Sequence, residues 1–342
     1  MRISGFSRYA LSSCVAAAML AGCGGSQPPI GARGAQRPVF GVPAPDSAKS
    51  GLYISEYNSR SDAVVLGYPT NDRRNDPPTC SESTPYARSI AVDTKGNLIV
   101  PEGFDEVTVF KGPGMCGPKL GSFGLGEWGG DAVDVASTNA ADGMIAVAAI
   151  QDGSGAGSIE ICRIKGGCTA NLGNPDMNFV FAVAVSKSGD CWAASKQGPS
   201  KGYKAVLTYF QGCAGSGQTA THYKNSDTGG LDIDKSGNLV SISYSTPAVF
   251  IYSGCKPACK LIGGPFQLKG TAVYGHLNED STRFATADYQ YGQVDVYRYS
   301  PTAITYRYSF NNGISVSSGI VGAAYNPRSK ELTKLGSRRR YS

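Results

Sequence analysis

A sequence pattern that returns six times along the chain limits which folds are open to it. In residues 88–110 (RSIAVDTKGNLIVPEGFDEVTVF), apolar and polar residues alternate in three short runs, separated by a turn at residues 94–97 and by a second break. Such alternation is typical of a three-stranded antiparallel meander. Similar segments occur at residues 181–195 and 229–243, and more loosely at residues 131–149, 274–288 and 321–331.

The apolar residue before each turn marks the period of this repeat. The markers are Val92, Val135, Val185, Ile233, Leu277 and Tyr325, which are 43, 50, 48, 44 and 48 residues apart. These periods match the four-stranded blades of a β-propeller. Composition agrees, because 41% of the residues are hydrophobic and only 17% are charged. We therefore predict an all-β fold, a six-bladed β-propeller.

The last copy of the repeat contains a single strand, so its blade needs strands from elsewhere in the chain. Residues 51–57 (GLYISEY) and 63–69 (AVVLGYP) alternate like a second and a third strand. We predict that these N-terminal strands pair with the C-terminal strand and close the ring. Closure removes the strand edges that promote aggregation of an open array.

The first 22 residues have the composition of an export signal. Two arginines precede an apolar stretch, residues 9–20, that is too short to span a bilayer. The stretch runs into LAGC (residues 20–23), which resembles the lipobox of bacterial lipoproteins. That resemblance implies that Cys23 is lipidated and that the protein is anchored in the cell envelope, with Gly24 favouring the outer membrane. The alternative is an ordinary signal peptide with a chance cysteine.

The segments on either side of the predicted propeller, residues 51–327, carry most of the net charge. Residues 23–50 are rich in Gly and Pro, which predicts a flexible linker after the lipidated cysteine. The formal net charge is +6, but two arginines in residues 1–22 and a basic C-terminal tail, residues 328–342, leave residues 23–327 with −1. Nucleic acid is therefore not expected as a partner, because phosphate neutralisation needs clustered Lys and Arg.

The segment at residues 88–110 resembles an NHL-type repeat in its IAVD strand, its GN turn and the strand that follows. The body is similar to NHL-like and gluconolactonase-like six-bladed propellers. This resemblance implies the architecture but no single activity, because propellers serve as hydrolases, lyases, receptors and scaffolds. An Asp often follows the second strand of such repeats, and the matching acidic residues here are Glu56, Glu102 and Asp288.

Eight cysteines lie in the body, an even number that suits an oxidising compartment. In the propeller arrangement, the turns after strands one and three of a blade share one rim, where Cys191 can meet Cys213. The predicted disulfides are Cys162–Cys168, Cys191–Cys213, Cys255–Cys259 and, by elimination, Cys80–Cys116.

Binding sites of propellers usually lie on the face opposite that rim, in the loops after the second strands and between blades. Acidic residues beside aromatic residues occur there, which suits sugar hydroxyls, because carboxylates accept hydrogen bonds and aromatic rings stack on C–H groups. The alternative is that they are ordinary loop residues. The candidate binding residues are Glu56, Tyr57, Asn58, Glu102, Phe104, Tyr203, Tyr244, Asp288, Tyr289 and Tyr291.

Two functions follow from these candidates. The leading prediction is a non-catalytic lipoprotein that binds an envelope protein or glycan, needs no cofactor, and contacts the membrane through its lipid anchor. The alternative is a Ca²⁺-dependent lactonase-like hydrolase or a streptogramin-lyase-like enzyme. For that alternative, Glu56, Glu102 and Asp288 would supply the oxygen ligands that Ca²⁺ prefers, and the ion would polarise an ester carbonyl.

Overall fold

The computed structural model describes residues 50–59, 62–69, 77–84, 87–93, 95–102, 106–112, 117–125, 130–137, 143–151, 157–197, 204–315 and 319–326. Within these ranges the chain forms six sheets of four antiparallel strands and one short 3-10 turn, Gln211–Cys213. The described residues contain no helix that is long and apolar enough to cross a membrane. The predicted all-β class is confirmed.

The first half of the chain contributes eleven strands to three blades. Blade 1 begins with β1 (Ser50–Ser59), β2 (Asp62–Pro69) and β3 (Cys80–Thr84). Blade 2 consists of β4 (Ala91–Val92), β5 (Leu98–Pro101), β6 (Glu106–Phe110) and β7 (Lys119–Gly124). Blade 3 consists of β8 (Gly130–Ser137), β9 (Met144–Gln151), β10 (Gly157–Arg163) and β11 (Gly167–Leu172).

The second half supplies three further blades and completes the first. Blade 4 consists of β12 (Phe179–Val185), β13 (Cys191–Lys196), β14 (Ala205–Phe210) and β15 (Gln218–Thr219). Blade 5 consists of β16 (Thr228–Ile233), β17 (Leu239–Ser243), β18 (Ala248–Ser253) and β19 (Lys260–Gln267). Blade 6 consists of β20 (Ala272–Leu277), β21 (Arg283–Asp288), β22 (Gln293–Ser300) and β23 (Ala303–Phe310), and β24 (Gly319–Tyr325) joins blade 1.

The innermost strands β24, β4, β8, β12, β16 and β20 contact one another in that order, and β20 contacts β24 in turn. The six sheets are therefore the blades of a ring. Strand β1 pairs with β24 in the antiparallel direction, with Tyr53 opposite Ala324 and Ile54 opposite Ala323. The predicted closure by N-terminal strands is confirmed.

The apolar core of the propeller lies between the blades. Neighbouring residues of one strand point to opposite faces of its sheet, so each central strand contributes to two interfaces. In β1, Tyr53 packs with Leu98 of blade 2, whereas Ile54 packs with Val296 of blade 6. Each of the six clusters of buried apolar residues in the described structure joins two adjacent blades in this way.

The turns between first and second strands show why the repeat motif contains a glycine. Gly96, Gly189 and Gly237 occupy the same turn position with φ of 79°, 86° and 81°. In the blade 5 turn, Asp234 Oδ1 accepts the backbone N–H groups two and four residues later, at 2.8 and 2.9 Å. We call the rim with these turns (residues 93–97, 186–190, 234–238 and 278–283) the turn face. The opposite rim, with the connections after the second strands, is the loop face.

The disulfides follow the propeller geometry. Three predicted pairs are present: Cys162–Cys168, Cys191–Cys213 and Cys255–Cys259. Cys80 is also disulfide-bonded, and Cys116, its predicted partner, lies outside the described residues.

Replacing Gly237 by Ala should destabilise the propeller by about 1–2 kcal/mol, because its φ lies in the left-handed region that L-residues avoid. Gly121→Ala is the matched control. A Cβ at either glycine meets no atom within 4 Å, but Gly121 has no such φ, so this control should be neutral or slightly stabilising. Urea unfolding of both variants measures the difference, and equal midpoints would contradict the assigned turn conformation.

Candidate functional site

The predicted binding residues lie where the second strand of a blade reaches the loop face. Glu56, Glu102 and Asp288 lie near the loop-face ends of β1, β5 and β21, in the adjacent blades 1, 2 and 6. Phe104 and Tyr203 lie outside the described residues. Asn58 is described as part of β1 without its side chain.

Glu56 is a buried carboxylate that holds the backbone of a neighbouring connection. Its residue is 2% exposed, and the Ser315 backbone N–H donates to Glu56 Oε1 at 3.0 Å. Ser315 lies between β23 and β24, so this contact fastens the connection from blade 6 to blade 1. Burial raises the pKa of the nearby Tyr68 hydroxyl, and the negative charge of Glu56 acts in the same direction.

Asp288 belongs to a buried carboxyl pair in blade 6. Its Oδ1 accepts the backbone N–H groups of Gln290 at 3.0 Å and Tyr291 at 3.3 Å, which holds the turn after β21. The Gln293 Nε2 group donates to Asp288 Oδ2 at 3.2 Å and to Asp295 Oδ1 at 3.0 Å. Burial raises the pKa of Asp295 to about 6, and the charge of Asp288 raises it as well. Burial raises the pKa of Asp288 as well, so the pair holds a proton to a higher pH than a free aspartate does.

The structure does not gather the three predicted calcium ligands into one cluster. Among the described residues, one group of three metal-ligating side chains has its ligand atoms within 4.8 Å of one another, and it consists of Glu160, Cys162 and Cys168. The two cysteines are joined in a disulfide, so they offer no thiolate to a metal. Glu102 is half-buried, and burial raises the pKa of its carboxyl. Calcium binding stays a prediction that this geometry does not support.

Tyrosines line the loop face at equivalent positions of three consecutive blades. Tyr244 follows β17 of blade 5, Tyr289 follows β21 of blade 6, and Tyr57 lies at the matching place in β1 of blade 1. Tyr244, Tyr289 and the nearby Tyr291 are 43%, 49% and 54% exposed, whereas Tyr57 is half-buried. We call Tyr57, Tyr244, Tyr289 and Tyr291 the tyrosine arc.

Two contacts hold Tyr289 in place. Its backbone N–H donates to the Thr271 carbonyl at 2.9 Å. Its ring lies against Gly319 of β24, where a Cβ would come within 2.3 Å of the ring. The glycine therefore lets the tyrosine of blade 6 reach across to the innermost strand of blade 1, with about half of its surface still exposed.

Blade 4 places a charged group beside the arc. Lys196 occupies the position that corresponds to Tyr244 and forms an ion pair with Asp227, with Nζ and Oδ1 3.1 Å apart. The same ammonium lies 5.2 Å from the centre of the Phe181 ring. Although burial raises it, hydrogen bonds from Ser245 and Lys196 and the Lys196 charge lower the pKa of Asp227. The loop face thus offers aromatic rings next to charged hydrogen-bonding groups.

A cavity of about 390 Å³ opens at the axis on the opposite rim, the turn face, and is lined by innermost strands of all six blades. On its wall, His276 Nδ1 lies 3.6 Å from Asp232 Oδ2. The Leu277 backbone N–H donates to the same oxygen at 2.7 Å. Deeper along the axis, the Tyr274 hydroxyl of blade 6 donates to the Phe181 carbonyl of blade 4 at 3.1 Å.

The sequence prediction missed this axial pair. Neither His276 nor Asp232 is among the predicted binding residues, although Asp232 lies next to the turn motif of blade 5. The turn is built by Asp234 instead, and Asp232 faces the axial cavity. The repeat contains a signal at the position before the marker residue, which is alanine in blades 1, 2 and 4 and polar in blades 3, 5 and 6.

Comparison with known proteins identifies the fold but no family, because no family model and no curated protein matches the chain. A nidogen/laminin complex is similar, with a TM-score of 0.56 and 11% identity over 81% of this chain and 98% of that chain. A mitotic checkpoint complex has a TM-score of 0.53 and 10% identity over 81% and 82% of the two chains. A functionally unknown protein from Desulfotomaculum acetoxidans DSM 771 has a TM-score of 0.51 and 12% identity over 76% of this chain and 80% of that chain. At these identities the likeness shows the propeller fold alone.

The buried Asp288–Asp295 pair predicts a pH dependence of stability. Folded Asp295 keeps its proton up to about pH 6, whereas in the unfolded chain it ionises near pH ~4. Asp295 therefore contributes on the order of 2–3 kcal/mol to the free energy of unfolding below about pH 4. This contribution is lost as the pH rises through 6. Asp295→Asn should flatten this fall, measured by urea unfolding across that pH range.

Asp227→Asn is the control of opposite sign for this experiment. Because the pKa of folded Asp227 is lowered, its contribution is present at neutral pH and is lost in acid. The Asp227→Asn protein should therefore keep the fall in stability between about pH 4 and 6 that Asp295 causes. An Asp295→Asn protein with the same fall as the wild type would show that the proton is held elsewhere.

Proposed function

We propose that this chain is a lipid-anchored, non-catalytic propeller of the cell envelope that binds a protein or glycan partner through the tyrosine arc. The observation that carries the proposal is the exposure of Tyr244, Tyr289 and Tyr291 on one rim, at and next to equivalent positions of consecutive blades. Tyrosine combines a large apolar ring with a hydroxyl, and it is enriched in binding interfaces for that reason.

The surroundings of the arc favour binding over a purely structural role for these rings. Tyr289 is fixed by its backbone bond to Thr271 and by its contact with Gly319, so little conformational entropy is lost when a partner covers it. The Lys196–Asp227 ion pair supplies polar groups at the edge of the aromatic surface. An apolar centre with a polar rim is the usual composition of a specific interface.

The anchor in this proposal depends on the sequence alone. Residues 1–49 lie outside the described structure. The support for lipidation is the LAGC motif, which ends at Cys23 after an apolar export signal. Lipid chains on one cysteine would give the stable membrane attachment that a single acyl chain does not. The partner is then expected among the proteins and glycans of the same envelope.

The hydrolase alternative has less geometric support. Two of its three carboxylates, Glu56 and Asp288, already accept backbone N–H groups, and they form no ligand cluster with Glu102. A calcium ion bound by all three residues would require their carboxylates to move together. Binding by the tyrosine arc requires no such rearrangement.

Truncation of the arc should abolish partner binding without unfolding the propeller. We expect Tyr244→Ala/Tyr289→Ala to weaken retention of the protein on immobilised envelope protein or glycan fractions by at least about tenfold, because exposed aromatic anchors each contribute roughly 1–2 kcal/mol. Leu120→Ala is the matched control, since Leu120 is 46% exposed on β7 of blade 2. Equal retention of the wild-type, arc and control proteins would disprove binding through the arc.

Replacing Cys23 should separate the anchor from the binding surface. In cells fed an alkyne fatty acid, the wild-type protein should be labelled and recovered with membranes, because a thioether-linked lipid partitions into the bilayer. The Cys23→Ala protein should lose the label and the membrane association but still bind the partner fraction in vitro. Cys14→Ala, within the signal, is the control and should be labelled normally. A labelled Cys23→Ala protein would refute the assigned lipidation site.

A further inference from the structure

A second cavity lies on the outer part of blade 6, at the turn-face end of its strands. Its volume is about 590 Å³. Arg283 at the start of β21, Arg298 near the end of β22 and Arg307 in β23 contribute to its wall, together with Tyr306 and Tyr308. We call these five residues the arginine groove. It lies at the opposite end of the blade from Tyr289, so it is separate from the tyrosine arc.

The strand register places like charges side by side in this groove. Arg283 and Arg298 are direct partners across the β21–β22 pair, an arrangement that destabilises a sheet. Arg307 is the extra residue of a bulge, because Tyr306 pairs with Tyr297 and Tyr308 pairs with Val296. Bulges redirect a side chain out of the regular alternation, and here the redirected side chain is a third guanidinium.

Two of the three arginines of the groove, Arg298 and Arg307, have no described acid as an ion-pair partner. Both of these arginines are exposed. Arg283 has other contacts and contributes to the groove through its position opposite Arg298. Arg88 and Arg163 are the other arginines of the described structure, so most of its guanidinium groups surround one cavity.

The shape and chemistry of the groove indicate what fits there. Guanidinium groups bind phosphate through two parallel hydrogen bonds, which a lysine cannot do. Tyr306 is 43% exposed, and its hydroxyl is held by Ser309 at 2.8 Å, so a fixed ring stands beside the positive charge. Sugar rings stack on such a surface, and the cavity volume lies in the range of small-molecule sites.

We propose that the arginine groove binds a phosphate-bearing sugar, either in solution or as the headgroup of a glycolipid. The phosphate would lie between Arg298 and Arg307 and neutralise their two charges. The sugar ring would pack on Tyr306. This site is independent of the partner that the tyrosine arc is proposed to bind.

The first test uses the full chain with Cys23→Ala, so that its own lipid does not contribute to binding. Calorimetric titration should show binding of glucose 1-phosphate, weaker binding of inorganic phosphate, and none of glucose. Arg298→Gln/Arg307→Gln should raise the dissociation constant for glucose 1-phosphate by about tenfold or more. Arg163 is an exposed arginine of blade 3, so Arg163→Gln is the control. This variant should bind glucose 1-phosphate as tightly as the protein with all its arginines.

Two further measurements distinguish the source of the ligand and the reason for the charge cluster. Flotation with phosphatidylcholine vesicles, with and without the phosphorylated glycolipid lipid A, tests a lipid-borne headgroup. Flotation of the protein only with the vesicles that contain lipid A assigns the site to glycolipid. Without ligand, Arg298→Gln should raise the thermal midpoint, because it removes like-charge repulsion. No binding to either probe, equal binding by the double variant, or inorganic phosphate binding as tightly as glucose 1-phosphate would overturn the proposal.

Discussion

The packing of each blade against two neighbours is the interaction on which the whole structure depends. A single four-stranded sheet here has two apolar faces, because consecutive residues such as Tyr53 and Ile54 enter clusters on opposite sides. A missing blade would expose an apolar face on each of its neighbours, so the ring is stable only when it is closed. Closure comes from the β1–β24 pairing, which makes the two ends of the propeller parts of one sheet, so no blade face stays exposed where the ring closes.

The strands and turns of this fold could be predicted because both are local in sequence. Alternation identified β1 and β2 as strands of the last blade, and the turn glycines of blades 2, 4 and 5 mark a backbone position that needs positive φ. The role of Glu56 could not be predicted, since its partner Ser315 lies 259 residues away. Both faces of a central strand are buried between blades, so the polar positions of its alternation are buried as well. Alternation alone therefore cannot separate a site carboxylate from a structural one.

The position of the tyrosine arc on one rim could be predicted for the same reason. Assigning loops to one rim was enough to select Tyr244, Tyr289 and Tyr291, whose exposure agrees with their proposed role. The marker residues do not reveal the axial pair, because Asp232 and His276 occupy the position before the marker. In a repeat protein, each residue can be compared with the residues at the same position of the other blades. A polar residue where other blades have alanine is a difference that packing does not require.

Such departures still need a physical reason before they indicate a ligand. Innermost strands pair on one side only, so backbone groups at the axis lack a strand partner and must be satisfied by side chains. Asp232 accepts the Leu277 N–H, and Tyr274 donates to the Phe181 carbonyl, each from one blade to another. These polar side chains therefore supply hydrogen bonds that a neighbouring strand would otherwise provide, so the propeller architecture itself explains them. Within the described structure, Arg298 and Arg307 satisfy no backbone group and add to like-charge repulsion, so an anionic ligand is the partner that their placement lacks.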